Sequence, residues 1–137
     1  MSAPTWTKKY PKLFARLDDF STGDGWDEIL KELSERLEPF CDDEVYAVQV
    51  KEKFGGLCFY MSRYMDEIQD LITYAENTCW ITCERCGQPG EYRDDLWWVR
   101  TLCDDCRSGV PPEQVRPPGR PAPPAPGSRL PGSFSEP

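Results

Sequence analysis

The 137-residue sequence contains no histidine. Histidine is the commonest general base, the side chain that titrates nearest neutral pH and a frequent metal ligand. Its absence excludes a histidine general base, a histidine pH switch and histidine metal ligands. No run of 18 apolar residues occurs, so we expect no transmembrane helix. Residues 1–6 also lack the apolar core of a secretion signal. The absence of histidine disfavours an enzyme. The odd number of cysteines, seven, and the metal-ligand spacing of four of them favour a reducing cytoplasm over a disulfide scaffold.

Basic residues are scarce relative to acidic ones. Sixteen Lys and Arg residues stand against 24 Asp and Glu residues, for a net charge of −8. The imbalance lies in residues 1–106, which hold 12 basic and 22 acidic side chains. An acidic surface repels phosphate backbones at long range. The composition therefore disfavours general nucleic-acid binding and fits a basic protein partner.

Large apolar side chains become rare after residue 106, where ten of the fourteen prolines lie. A segment of this composition cannot bury enough apolar surface to offset its loss of conformational entropy. We therefore predict a disordered proline-rich tail at residues 108–137. Its stretches 117–121 and 123–126 favour polyproline II, which aromatic-lined grooves bind, although a plain appendage is the simpler interpretation.

Apolar periodicity predicts three helices and one hairpin before residue 80. Residues 10–20 fit a short first helix. A second helix starts at an Asp24 N-cap and ends at Pro39, and its apolar stripe is Trp26, Ile29, Leu30, Leu33 and Leu37. Residues 45–53 and 57–63 alternate as strands around a Gly55-Gly56 turn. A third helix covers residues 65–77.

Four of the seven cysteines have metal-ligand spacing. Two Cys-x2-Cys pairs are separated by sixteen residues, as in zinc ribbons. We predict one structural zinc ion on Cys83, Cys86, Cys103 and Cys106. Four protein ligands close the shell, which disfavours Lewis-acid catalysis. An iron–sulfur cluster is the alternative with the same ligands, and Cys79 is the substitute if one ligand is misassigned.

The segment between the two pairs predicts a hairpin with strands at residues 91–93 and 96–101. In this arrangement Trp97, Trp98 and Val99 would cover the ion and dock the ribbon on the body. The fold class is therefore α+β, with two helices, a hairpin, a third helix and a zinc ribbon. We expect a body at residues 1–80, a docked ribbon at 81–107 and the tail at 108–137.

Eight further residues are candidates for contact with a partner. A lysine-flanked glycine turn can hold a phosphate or base, and tryptophans in a ribbon can stack on bases. The alternative is a turn with solvated lysines and tryptophans that pack in the core. The candidates are Lys51, Lys53, Phe54, Gly55, Gly56, Trp97, Trp98 and Arg100.

Four segments of the chain, in this order, resemble a family of small proteins carried by tailed bacteriophages and prophages. Residues 23–26 read GDGW, residues 51–60 read KEKFGGLCFY, and the two cysteine pairs follow. The resemblance covers about residues 10–106. Cys58 stands where the family would have arginine. The resemblance implies a phage setting, and it adds no mechanism.

Together these observations favour a non-enzymatic zinc-binding protein that contacts another protein, such as a host factor or a defence complex. The alternative is a nucleic-acid-binding accessory protein that uses the ribbon hairpin.

Overall fold

The computed structural model describes residues 3–117, and its mixed α+β architecture confirms the predicted fold class. The helices of the described chain are α1 (Pro11–Phe14), α2 (Asp27–Leu37), α3 (Asp66–Cys79) and α4 (Asp104–Ser108). The strands are β1 (Asp19–Ser21), β2 (Ala47–Lys53), β3 (Gly56–Met61), β4 (Glu91–Arg93) and β5 (Arg100–Leu102). Short 3-10 helices lie at Thr5–Lys9, Asp24–Trp26, Glu38–Phe40 and Pro112–Gln114. No helix within residues 3–117 is long and apolar enough to cross a bilayer.

A three-stranded sheet in the order β1-β2-β3 lies in the body. β2 and β3 pair antiparallel, which confirms the predicted hairpin. β1 pairs in parallel with β2 and places Phe20 opposite Val50, whereas periodicity predicted a helix over residues 10–20. That prediction is wrong beyond α1, because the amide of Asp18 donates a 2.7 Å hydrogen bond to the carbonyl of Val48 and the chain joins the sheet.

The hairpin turn consists of Phe54 and Gly55, with φ of 53° and 85°. Positive φ at both central residues is the geometry of a two-residue turn that matches the twist of the strands. Gly56 instead begins β3 and lies against Trp80, where an added Cβ would be 2.6 Å from Cζ2 of the indole. The predicted Gly55-Gly56 turn is therefore wrong by one residue, since the second glycine serves close packing.

The second predicted helix exists, but it begins later than its sequence signals indicate. α2 starts at Asp27 with Trp26 in the N-cap position, and Asp24 lies in a preceding 3-10 turn. The apolar stripe faces the core as predicted, with Ile29 partly buried at its edge. The main core members are Leu13, Phe20, Trp26, Leu30, Leu33, Leu37, Val50, Leu57, Phe59, Ile68 and Ile72.

Residues 108–117 pack on the cysteine module, so the predicted start of the tail at residue 108 is too early. Val110 is buried beside Leu96, and Val115 forms a β-bridge with Leu96. Val110 and Val115 thus supply apolar contacts that the proline-rich composition of this segment did not indicate. We call residues 81–117 the ribbon. The rest of the predicted tail, residues 118–137, lies outside the described residues.

Candidate metal centre

The first cysteine knuckle follows α3 and turns on a glycine. The amide of Gly87 donates a 3.0 Å hydrogen bond to the carbonyl of Cys83, and the amide of Cys83 donates one of 2.7 Å to the carbonyl of Gln88. Gly87 has φ of 86°, a conformation that glycine adopts without steric cost. This tight turn directs the sulfurs of Cys83 and Cys86 to the same side.

The second knuckle joins β5 to α4. Cys103 is the N-cap residue of this short helix, and its Sγ accepts a 3.4 Å hydrogen bond from the amide of Cys106. The amide of Arg107 donates to the Cys103 carbonyl at 2.9 Å, which closes the first helical turn. One turn of helix thereby brings the second pair of sulfurs together.

The two knuckles bring all four predicted ligand sulfurs within 4.8 Å of one another. The Sγ atoms of Cys86 and Cys103 are 3.5 Å apart. A tetrahedral ion with metal–sulfur bonds of about 2.3 Å requires sulfur–sulfur edges of roughly 3.8 Å. The cluster therefore fits one metal ion and leaves no room for several irons and sulfides. Cys79 is fully buried in the body core and is not part of the cluster.

The four thiols do not ionise alike. Burial alone would raise the pKa of Cys83, but hydrogen bonds from the backbone of both knuckles outweigh it and lower that pKa to about 6. Burial, followed by hydrogen bonds with the neighbouring thiols, raises the pKa of Cys106 to about 12. One thiolate forms readily in this cluster, and its negative charge opposes the ionisation of a second thiol. A bound cation would remove this repulsion, so the cluster is suited to a metal ion.

The GDGW segment packs directly on the first knuckle. The amide of Gly25 donates a 2.9 Å hydrogen bond to the carbonyl of Glu84, and the indole Nε1 of Trp26 donates one of 2.9 Å to the carbonyl of Thr82. An added Cβ at Gly25 would be 2.6 Å from the carbonyl carbon of Glu84 and would meet the carbonyl oxygen of Cys83. Sequence reasoning assigned these residues to a helix start and missed this contact. The two glycines on either side of Asp24 were the available signal, because glycine permits close backbone approach.

The hairpin turn packs against β5 of the ribbon. The hydroxyl of Thr101 donates a 2.7 Å hydrogen bond to the carbonyl of Gly55, and the Gly55 amide donates one of 2.7 Å to the Glu52 carboxylate. Burial raises the pKa of Glu52, and this hydrogen bond opposes the change. The carboxylate of Glu84 accepts hydrogen bonds from Arg100 Nε at 3.1 Å and from the Thr101 amide at 3.2 Å. The hairpin and the metal module therefore form one packed unit.

The structure brings together some of the eight predicted contact residues. Phe54 and Trp98 stack with ring centroids 5.5 Å apart and planes inclined by 32°. Trp98 is 60% exposed and Trp97 is 42% exposed, so Val99 alone of these three is buried as the docking prediction required. We call Phe54 and Trp98 the aromatic surface.

The other predicted contact residues are less available to a ligand. Arg100 is held by the buried carboxylate of Glu84. Gly55 and Gly56 are buried, Lys51 is half-buried in β2, and Lys53 is exposed at the end of the strand. The lysine-flanked turn therefore presents an aromatic ring rather than a backbone pocket for phosphate.

Comparison with protein-family models, with curated proteins and with solved structures finds no match to this chain.

Proposed function

We propose that this chain is a non-enzymatic interaction protein of phage or prophage type that contacts a protein partner through the aromatic surface. The partner is a host factor or a defence complex in the cytoplasm, where thiolate ligands stay reduced. One observation carries the proposal: an exposed Trp98 is stacked on Phe54, which belongs to a different element of the fold. The metal centre has a structural role in this proposal, because it fastens the loop that carries Trp98.

Zinc is the metal that suits this centre best. Four cysteine sulfurs form the shell that structural zinc prefers, and their separation fits a single tetrahedral ion. The shell is complete, so no coordination position remains for a substrate. Binding of the ion supplies folding free energy to a module whose own apolar cluster is small.

Exposed tryptophans on a rigid support are typical of protein interfaces. Aromatic side chains are enriched in interface cores and often supply the largest share of the binding energy. The Thr101–Gly55 hydrogen bond holds the Phe54 turn against the strand that follows Trp98. Because this geometry exists before binding, little conformational entropy remains to be lost.

The charges of the ribbon argue against the nucleic-acid alternative. Three arginines of the ribbon already pair with carboxylates: Arg93 with Asp104, Arg100 with Glu84 and Arg107 with Asp95. Phosphate binding would have to compete with these pairs on a chain of net charge −8. Trp98 can still stack on a base, so nucleic acid is retained as an outcome of the test.

The test is quantitative capture of partners from the native lysate with four baits: the full chain, Phe54→Ala, Trp98→Ala and Tyr74→Ala. Tyr74 is a matched control, since this aromatic residue of α3 is 70% exposed and lies outside the aromatic surface. We expect one protein or a few proteins to be lost with the first two variants and kept with the third.

Equal recovery with all four baits would contradict the proposal. Binding of mixed DNA or RNA at low salt that weakens steeply as salt rises, and that Trp98→Ala abolishes, would support the nucleic-acid alternative instead.

A further inference from the structure

The four cysteines of the cluster differ in their exposure to solvent. Cys83 is buried and the two cysteines of the second knuckle are partly buried, whereas Cys86 is exposed. Residues 85–89, which form the tip of the first knuckle, are all exposed as well. A metal-bound cysteine is a thiolate, which is the form of this side chain that reacts with electrophiles. Cys86 is therefore the sulfur of the cluster that a small oxidant in solution reaches first.

Cys103 is placed to react with an oxidised Cys86. The Sγ atoms of these two residues are 3.5 Å apart and belong to different knuckles. A disulfide bond is about 2.05 Å long, so the two sulfurs need to approach each other by roughly 1.5 Å. An accessible thiolate beside a second cysteine that resolves it is the arrangement of redox-sensing sites. The cysteines outside the cluster are buried and cannot take this role: Cys41, Cys58 and Cys79.

The reaction balances with hydrogen peroxide as the oxidant. The thiolate of Cys86 attacks one peroxide oxygen, the O–O bond breaks, and a sulfenic acid and a hydroxide ion form. The thiolate of Cys103 then attacks the sulfur of the sulfenic acid, so that the S–O bond breaks, the S–S bond forms and a second hydroxide ion leaves. Two protons from the solvent convert both hydroxide ions to water. The two sulfurs together lose two electrons, which reduce the peroxide to two molecules of water.

This disulfide would remove the anchor of the loop that carries Trp98. Only Cys83 and Cys106 would remain as thiolates, and two sulfurs do not make the four-ligand shell of a structural metal site. The disulfide still joins the two knuckles, but α4 loses the anchor that Cys106 provides through the metal. Arg107, the next residue, bonds the carboxylate of Asp95 at 2.7 Å, and Asp95 lies in the same loop between β4 and β5 as Trp98. Loss of the ion should therefore loosen this loop.

We propose that Cys86 and Cys103 form a redox switch, in which a hydroperoxide joins them in a disulfide, releases the metal and disrupts the aromatic surface. The reduced, metal-bound chain binds its protein partner, and the oxidised chain does not. A thiol reductant reverses the change, because exchange opens the disulfide and restores four thiolates for the metal. This inference rests on the proposed function, since it assigns a regulation to the same surface.

The test treats the zinc-loaded full chain with hydrogen peroxide. A chromogenic chelator measures the released zinc, thiol titration in denaturant counts the reduced cysteines, and mass analysis of peptides identifies the linked pair. We expect one zinc ion to leave per chain as the thiol count falls from seven to five, with Cys86 linked to Cys103. In the control variant Cys41→Ala, zinc release should be the same and the count should fall from six to four, because Cys41 bonds the Leu37 carbonyl outside the cluster.

Retention of zinc under conditions that fully oxidise free cysteine would overturn the inference. Release of zinc with any linkage other than Cys86 to Cys103 would overturn it as well.

Partner capture with the oxidised chain as bait separates the two proposals. We expect recovery to fall to the level of Trp98→Ala on oxidation and to return after treatment with reductant and zinc. Equal capture by the reduced chain and by the disulfide form, both dependent on Trp98, would leave the proposed function standing without its switch. Formation of the disulfide with loss of zinc, but no Trp98-dependent capture by the reduced chain, would establish the redox site and refute the proposed function.

Discussion

The indole Nε1 of Trp26 donates a 2.9 Å hydrogen bond to the carbonyl oxygen of Thr82, the residue before the first ligand cysteine. Trp26 is also fully buried in the core of the body. The same side chain therefore belongs to the body and fixes the first knuckle. Loss of the metal should therefore lower the stability of the body. Disruption of the contact between Trp26 and Thr82 should in turn weaken metal binding.

Substitution of Gly25 by alanine tests this coupling. The new Cβ would lie 2.7 Å from the amide nitrogen of Gly87 as well as against the knuckle carbonyls, so backbone must move. We expect the free energy of unfolding in urea to fall by about 2–3 kcal/mol. Gly109→Ala is the matched control, because its Cβ would meet nothing closer than 3.6 Å and its φ is −86°. Equal stability of the two variants would refute the contact.

Cys86→Ser tests whether the exposed sulfur of the cluster is a ligand. We expect metal content, measured by elemental analysis, to fall from one ion per chain to a small fraction, and the melting temperature to approach that of the chelator-treated wild type. Cys41→Ala is the control: Cys41 is 5% exposed and bonds the Leu37 carbonyl outside the cluster. That variant should lose stability through packing and still hold one ion. Full metal content in Cys86→Ser would exclude Cys86 as a ligand.

Two truncations test the correction to the tail boundary. A chain that ends at Pro117 should keep its free energy of unfolding within about 1 kcal/mol, since it retains the contacts of Val110 and Val115. A chain that ends at Gly109 loses both valines. Its free energy of unfolding should fall by about 2–3 kcal/mol, the amount expected for one buried side chain of this size. Urea unfolding at matched metal loading is the measurement. Similar losses in both truncations would show that residues 110–117 contribute nothing.

The raised pKa of Glu52 predicts a specific dependence of stability on pH. Burial raises its pKa above the ordinary value of 4.5, so the folded state holds this proton more tightly than the unfolded state. The stabilising contribution is therefore complete below pH 4.5 and is lost as the pH rises through the folded pKa. Glu52→Gln keeps an acceptor for the Gly55 amide and removes this titration.

The measurement is the difference in unfolding free energy between wild type and Glu52→Gln from pH 4.5 to 8, at saturating metal. The free energy of unfolding of Glu52→Gln should increase relative to that of the wild type as the pH rises. A constant difference for Glu52→Gln over this range would show that burial does not perturb this carboxyl group.

Several elements could be predicted because their signals are local. The cysteine spacing indicated both knuckles, and the four sulfurs do lie together. The apolar stripe of α2 identified its buried face, and the alternation of β3 identified Leu57 and Phe59 as core residues. In β2 the alternation failed, because a β-bulge buries Ala47 instead of Val48. The spacing of apolar residues within one element indicates which side faces the core. These predictions therefore needed no knowledge of contacts with other elements.

The wrong predictions share a different cause. β1 exists only because its residues pair with β2, and residues 108–117 are ordered only because Val110 and Val115 meet Leu96. Asp24 is not a helix cap because the glycines beside it lie against the backbone of the first knuckle. Each of these outcomes depends on a partner that is distant in the chain.

The sequence by itself determined the four-cysteine cluster, the fold class and the acidic character of the chain. Tertiary structure decided which side chains stay exposed. It directed Arg100 into a buried pair with Glu84 and placed Trp98 beside Phe54 at the surface. Local spacing encodes the buried face of each element, whereas the exposed surface is what remains after every long-range contact has formed.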